Sequence, residues 1–340
     1  MKIQLQSLRV INCGPLRDVC IHFNTDGDSP VTVLAGANGS GKTTVLELII
    51  ALSNLLNPEY DRAKGFMSGP EISVLSRAEY AQMDWLVDDK EFNIFCGQRP
   101  ADFQFPPNHY GRDTFKRRYL QSELSNEEYI KGHTVTEIKA AIEQQERTTI
   151  KFADFGHQAV LLPSLLYFPH SRFLSPIEGQ HVQREEIKYR WTYSYQTVQS
   201  FEGSLDSYLI WLDYAEPETF SLVSEFLSQY LDGKKVSIFR KDLKAVVTTE
   251  DGGTHYLENL SSGEQNILIM LLELRCRLLP HSIVLIDEIE NSLHPAFQHR
   301  IVNGLKQLQE MIPFQLIVTS HSSTILEAFG PQSARILTQF

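Results

Sequence analysis

The chain has 340 residues, 42% of them hydrophobic and 21% charged, and a formal net charge of −11. That length and apolar content suit one large domain, or one core carrying sizeable insertions, and exclude a wholly disordered chain. The acidic balance argues against a nucleic-acid binder driven by bulk charge, though not against a local basic patch; no apolar run is long enough to span a bilayer, and Cys13, Cys20, Cys96 and Cys276 share no metal-like spacing.

The first residues, Met1-Lys2-Ile3-Gln4-Leu5-Gln6, alternate like a strand and do not open a secretion signal. A cytoplasmic protein with reduced thiols is therefore expected. Lys2 to Ile11 and Val19 to Phe23 read as an antiparallel pair turned by Asn12-Cys13-Gly14-Pro15. Val31 to Ala35 is a short apolar run, expected of a buried strand. It enters Gly36-Ala37-Asn38-Gly39-Ser40-Gly41-Lys42-Thr43, which fits G-x-x-x-x-G-K-[ST], the loop that cradles nucleotide phosphates. Thr44 to Leu52 reads as the helix leaving the loop, stopped by Asn57-Pro58. Strand, loop and helix in this order aim backbone N–H groups at an anion on a helix N-terminus.

From Pro58 to about Thr149 the strand–helix rhythm is lost. Pro70, Pro100, Pro106-Pro107 and charged stretches such as Asn126 to Lys139 mark residues 57–159 as an insertion with helices of its own. Its densest basic run is Arg112-Asp113-Thr114-Phe115-Lys116-Arg117-Arg118, read as a solvated face, with a phosphate-contacting patch as the alternative. Ser164 to Phe168 returns as a core strand ended by Pro169. Residues 176–232 are mostly helical in pattern: Leu205, Tyr208, Leu209 and Leu212 share one helical face, and Phe220, Val223, Phe226 and Leu227 another. Lys235 to Phe239 and Lys244 to Thr249 read as strands, and Asp251-Gly252-Gly253 turns the second back toward Thr254 to Leu257. No internal repeat, low-complexity tract or sustained heptad run is present.

Three further motifs follow. Leu260-Ser261-Ser262-Gly263-Glu264-Gln265 fits a helix-capping box before the apolar run Ile267 to Leu272, and the same geometry leaves N–H donors free for a phosphate. Ile283-Val284-Leu285-Ile286-Asp287-Glu288 is a strand buried on both faces that ends in two carboxylates. One carboxylate suits Mg²⁺, the other an attacking water. Leu316 to Ser320 is another buried strand and delivers His321 and Ser322 at its end. Ligands of open parallel sheets sit at the carboxyl ends of the strands. Each motif alone has a structural explanation; the four in this order share none.

The order GANGSGKT, LSSGEQ, IVLIDEIENSLHP, TSHS resembles the ABC-type ATPase heads of the SMC, RecF, double-strand-break-repair and OLD-type superfamily. Within it the chain is similar to compact prokaryotic AAA-family ATPases that partner defence nucleases; Glu290-Asn291-Ser292-Leu293-His294-Pro295 carries that likeness. The resemblance covers about residues 1–56 and 160–340, and Ile289 stands where many relatives have Pro. It implies an α/β phosphate-loop NTPase with an ABC-type head: a mixed sheet flanked by helices, N-terminal antiparallel strands, a helical lid and an inserted segment. The implied division is a core of residues 1–56, 160–175 and 233–340, an insertion at 57–159 as a partner surface, and a lid at 176–232.

The resemblance also implies roles. ATP and Mg²⁺ are the cofactors. Gly36, Asn38, Gly39, Ser40, Gly41, Lys42, Thr43 and Thr44 hold the nucleotide, with Lys42 on the β- and γ-phosphates and Asn38 near the γ-phosphate. Thr43 and Asp287 serve Mg²⁺, Glu288 is the general base for water, and His321 senses the γ-phosphate. Ser262 and Gly263 complete the site of a second subunit in trans, so the active unit is a homodimer, or a higher oligomer, closed around two ATP molecules. A glutamine should follow the Ser164–Phe168 strand, yet Pro169-His170-Ser171-Arg172 stands there. Gln98 lies in the insertion and is not placed; Arg172 is read as a surface salt bridge, with a substitute contact as the alternative.

Three tasks compete for such a switch. The favoured one is regulation of a separate effector, a nuclease for example, in antiphage defence. With about twenty residues after His321, no nuclease domain in cis is expected. The second is a RecF- or SMC-like DNA-repair ATPase that binds DNA; the third, a transporter ATPase subunit, is disfavoured by the LHP extension and the TSHS ending, and no membrane contact is expected.

Overall fold

The computed structural model describes residues 1–58, 73–116, 122–146, 148–150, 162–172, 187–195, 205–249 and 251–337. Strands β1 (Ile3–Cys13) and β2 (Leu16–His22) form the expected N-terminal antiparallel pair, turning at Gly14 and Pro15. β3 (Val31–Ala35) feeds the glycine-rich loop, and helix α1 (Lys42–Asn54) leaves it.

Among the described residues, the segment expected to be an insertion with helices of its own is built around four strands. β4 (Tyr80–Val87), β5 (Lys90–Gly97), β6 (His109–Lys116) and β7 (Ser122–Lys131) extend the first sheet in the order β2-β1-β4-β5-β6-β7. Helix α2 (Thr134–Gln145) follows β7. The reason is visible along β4, where burial alternates from Ala81 onward and the inward residues Ala81, Met83, Trp85 and Val87 sit on the core. Pairing with β1 across the sheet supplies the hydrogen-bond partners that local sequence does not. Residues 59–72, including Pro70, and Arg117 and Arg118 of the basic run lie outside the described residues. Arg112 of that run lies on β6 and is paired with Glu128.

The second sheet is wholly parallel, in the order β15-β3-β14-β13-β8-β9. It comprises β3, β8 (Leu165–Phe168), β9 (Thr192–Ser194), β13 (Ile283–Ile286), β14 (Gln315–Ser320) and β15 (Ala334–Ile336). β9 falls inside 176–232, so that stretch is not all helix: it adds a parallel edge strand before α3 (Leu205–Ala215) and α4 (Pro217–Ser228). Residues 176–186 and 196–204 of the expected lid lie outside the described residues. A three-stranded antiparallel sheet, β10 (Lys235–Phe239), β11 (Lys244–Thr248) and β12 (Thr254–Tyr256), packs on these helices.

Alternation along the parallel strands divides the core in two. Leu34, Leu165, Ile283, Leu285 and Ile317 face α1 and the first sheet. Val33, Leu166, Val284, Ile286, Leu316 and Val318 face α5 (Ser262–Arg277) and α6 (Pro295–Met311). Buried Gln315 joins the two sheets: its amide accepts from the Leu5 N–H at 2.8 Å and donates to the Leu5 carbonyl at 2.9 Å, beside a bulge in β1. α7 (Ser323–Phe329) packs against α6. No helix among the described residues is long and apolar enough to cross a membrane.

Candidate functional site

Register places the motifs side by side. Ala35 pairs with Ser320, Val318 with Ile286, and Ile286 with Phe168. The phosphate loop, His321, Asp287-Glu288 and Pro169 to Arg172 therefore leave four adjacent strands at one sheet edge, where parallel sheets bind ligands.

The loop is built for close approach. A Cβ on Gly36 would lie 2.5 Å from the Leu337 carbonyl oxygen, and Gly41, at φ 94°, would press one against Leu16. Lys42 is only 5% exposed and donates to the carbonyls of Gly36 and Ala37 at 3.1 and 3.0 Å, capping its own loop. Burial lowers its ammonium pKa, against the opposing pull of Glu288, Asp287 and Glu290. The Ser40 hydroxyl is buried with no hydrogen-bond partner, an orphan that a phosphate oxygen would satisfy. Asn38 and Gly39 are exposed on the outer turn of the loop, and Thr44 follows Thr43 in the first turn of α1.

Asp287 is fully buried. Its carboxylate accepts from the Thr43 hydroxyl at 2.9 and 3.1 Å and from the Thr319 hydroxyl at 2.7 Å. His170 Nδ1 lies 3.5 Å from the other side of it. Two hard oxygen donors, Thr43 and Asp287, converge beside the loop and fit Mg²⁺. Glu288 is half-buried and takes the left-handed conformation, φ 45°. Its N–H donates to Thr319 Oγ1 at 2.7 Å. Next to it, the Glu290 carboxylate accepts from the His321 N–H, while its other oxygen is buried without a partner. His321 itself is exposed at the sheet edge.

Ser262 and Gly263 open α5 as expected. Ser261 caps the helix in a reciprocal box with Glu264, and Lys234 pairs with that glutamate. Ser262 is exposed. Among the described residues, no hydrogen bond joins Ser262 or Gly263 to the phosphate loop; an indirect link runs one turn further along α5, through Asn266 and Arg172.

Arg172 corrects the surface reading. Only 3% exposed, its guanidinium donates to the carbonyls of Pro169, Asp287 and Glu288 and to Asn266 Oδ1. Burial pulls its pKa down to about 10, so it remains charged at neutral pH. Gln98 follows the end of β5 in the first sheet, its N–H bonded to the Glu79 carbonyl. Sequence reasoning also passed over His170, Thr319 and Glu290; the hydroxyl pair Thr319-Ser320 at a strand end was the signal for the second.

An AAA domain family profile matches residues 7–190, more than half of the chain. A second, described as "AAA domain, putative AbiEii toxin, Type IV TA system", matches residues 214–327. A "Retron Ec83 probable ATPase" from Escherichia coli is 30% identical over 132 residues, 35% of this chain and 24% of that protein. The chain thus spans about a quarter of that curated relative's length. Among solved structures, an SMC head domain from Thermotoga maritima is 14% identical, covering 96% of this chain and 92% of that one, with a TM-score of 0.44. An Smc head with an extended coiled coil, bound to the C-terminal domain of ScpA and derived from Pyrococcus furiosus, is 12% identical over 96% of this chain and 92% of that one, with a TM-score of 0.47. With its phosphate loop between β3 and α1 and its acidic pair at the end of β13, the chain belongs to the AAA domain family of ATPases.

Proposed function

We propose that the chain binds ATP with Mg²⁺ at the phosphate loop, hydrolyses it, and acts as a dimeric switch on a separate effector. The observation that supports this most is the convergence of Lys42, Thr43, Asp287 and Glu288 at one edge of the parallel sheet. Lys42 would leave the Gly36 and Ala37 carbonyls for the phosphates, and the loop N–H groups with the Ser40 hydroxyl would wrap them. Thr43 and Asp287 would hold Mg²⁺, which when bound neutralises phosphate charge. Glu288 would take the proton of the attacking water, and His321, braced by Glu290, would sense the terminal phosphate.

Exposed Ser262, followed by buried Gly263, opens a capped helix N-terminus apart from its own phosphate loop, and so serves the loop of a second copy. Splitting the positioning groups between two chains makes ATP occupancy and dimer closure one event. The retron relative and the toxin–antitoxin description support a defence role in which a second component, a nuclease for example, is held or released. The setting is then the cytoplasm.

Glu288→Gln should retain ATP, lose turnover and trap the closed dimer, read by fluorescent-nucleotide binding, phosphate release and light scattering. Unchanged hydrolysis would remove Glu288 as the base. Co-purification of the native complex tests the effector role; a protein that stays alone yet binds DNA tightly at physiological salt would favour the DNA-repair reading instead.

A further inference from the structure

The end of β8 and the end of β13 leave adjacent carbonyls pointing out of the parallel sheet. One cation, Arg172, takes them both. Its Nη1 donates to the Asp287 carbonyl at 2.6 Å and to the Pro169 carbonyl at 2.7 Å, and its Nη2 to the Glu288 carbonyl at 3.0 Å. Arg172 forms no ion pair among the described residues; its charge is spent on main-chain dipoles. The remaining donor, Nε, reaches Asn266 Oδ1 at 2.8 Å. Asn266 Nδ2 donates to the Asn291 carbonyl, and Asn291 Nδ2 to the His170 carbonyl, each at 2.8 Å. The circuit is closed: the segment after β8, the helix that opens with Ser262, and the turn after Glu288 share one ring of hydrogen bonds.

We propose that Arg172 is a positioning residue for the hydrolytic step, fixing the Glu288 peptide and coupling it through Asn266 to the helix that carries Ser262 and Gly263. The proposal rests on the reading of Glu288 as the base. Glu288 holds a left-handed backbone that a non-glycine residue adopts only when its surroundings impose it. Thr319 Oγ1 holds the N–H of this residue and Arg172 its carbonyl, so the peptide planes on both sides are pinned and the direction of the carboxylate follows. The planar fork is needed for this: a lysine in the same place is a single ammonium centre and cannot address the Asp287 and Glu288 carbonyls and Asn266 together. Because Asn266 lies one turn into α5, a shift of the Ser262 end reaches the Glu288 turn directly. The arrangement gives each subunit a way to register, at its own base, whether the helix that opens with Ser262 and Gly263 has engaged a partner.

The test uses the full chain with single-turnover phosphate release, fluorescent-ATP affinity and thermal melting measured on R172A, R172K, N266A and E288Q. R172A and R172K should lose turnover by about 100-fold, the cost of roughly an ångström of misplacement, with ATP affinity within about threefold of the parent. N266A, which keeps the Arg172 bonds to the carbonyls, should lose about tenfold, as supporting hydrogen-bond partners do. Guanidinium ion at low millimolar concentration should restore part of the R172A rate without changing its affinity, a readout that a merely structural role would not move. Should R172A fail to fold, R172K and N266A carry the test. Parental turnover in R172K, or loss of ATP affinity in step with turnover in R172K and N266A, overturns the proposal. If E288Q hydrolyses ATP like the parent, the reading of Glu288 itself has failed; if E288Q is dead while R172K is unimpaired, only the role of Arg172 has.

Discussion

Glu288 and Lys42 are both held in arrangements that cost free energy. The left-handed φ of Glu288 costs roughly 1–3 kcal/mol and persists because its N–H, its carbonyl and the following N–H, Ile289 to the Thr319 carbonyl at 3.1 Å, are all engaged. Lys42 is buried with its charge directed at two carbonyls of its own loop, and desolvation already lowers its pKa. An anion in the loop relieves that penalty, so a neutral side chain here should weaken nucleotide binding itself. Lys42→Ala removes charge-assisted hydrogen bonds worth about 1.5–3 kcal/mol. ATP affinity should fall by roughly 10- to 100-fold, as titration with a fluorescent analogue would report. Parental affinity in that variant would contradict the phosphate-loop assignment.

At the scale of elements, Asp206 on α3 provides a test of how the small antiparallel sheet is attached. Its carboxylate accepts the Ala245 N–H of β11 at 3.0 Å, and burial raises its pKa from 3.8 to about 6, against the lowering effect of that hydrogen bond and of Lys244. The folded state therefore binds the proton more tightly than the unfolded chain. The stability this confers is complete below pH 4 and is lost as pH rises through about 6. Asp206→Asn keeps the acceptor and removes the charge, so it should raise stability by about 3 kcal/mol above pH 7 and change little below pH 4. Urea midpoints at the two pH values measure this; an equal effect at both would show that the charge is not the cause. The same scale explains what was legible beforehand. β3, β13 and β14 are continuous apolar runs that end in chemistry, and such strands announce themselves. β4 to β7 do not, because Tyr80–Val87 becomes a strand through β1, which is distant in sequence. Arg172 and Gln315 were illegible for the same reason: each satisfies backbone groups that come together only when distant strands meet. His170 was hidden likewise, since its neighbour Asp287 arrives from another strand.

The whole molecule has two faces of core about one parallel sheet, with the Glu288 turn on one side of the candidate site and the helix that opens with Ser262 held to it from within. If Ser262 and Gly263 serve a partner's nucleotide, then each site takes its phosphate loop and Glu288 from one chain and its signature from the other. Two inactive variants should then repair each other. E288Q lacks the base of its own site but keeps an intact signature; S262R blocks the signature but keeps Glu288. In a mixed dimer one site receives Glu288 from the S262R chain and Ser262 from the E288Q chain, and is complete. The other receives both defects. With equal amounts mixed before ATP is added, half of the dimers are mixed and half of their sites work, so turnover should return to about a quarter of the parental rate. Each variant alone should stay near background at every concentration. The recovered rate should also rise with the square of protein concentration at dilution, because the competent species is a dimer. No recovery, in a mixture shown by light scattering to contain ATP-dependent dimers, would mean that Ser262 acts within its own chain, and the site would have to be redrawn as complete in a single subunit.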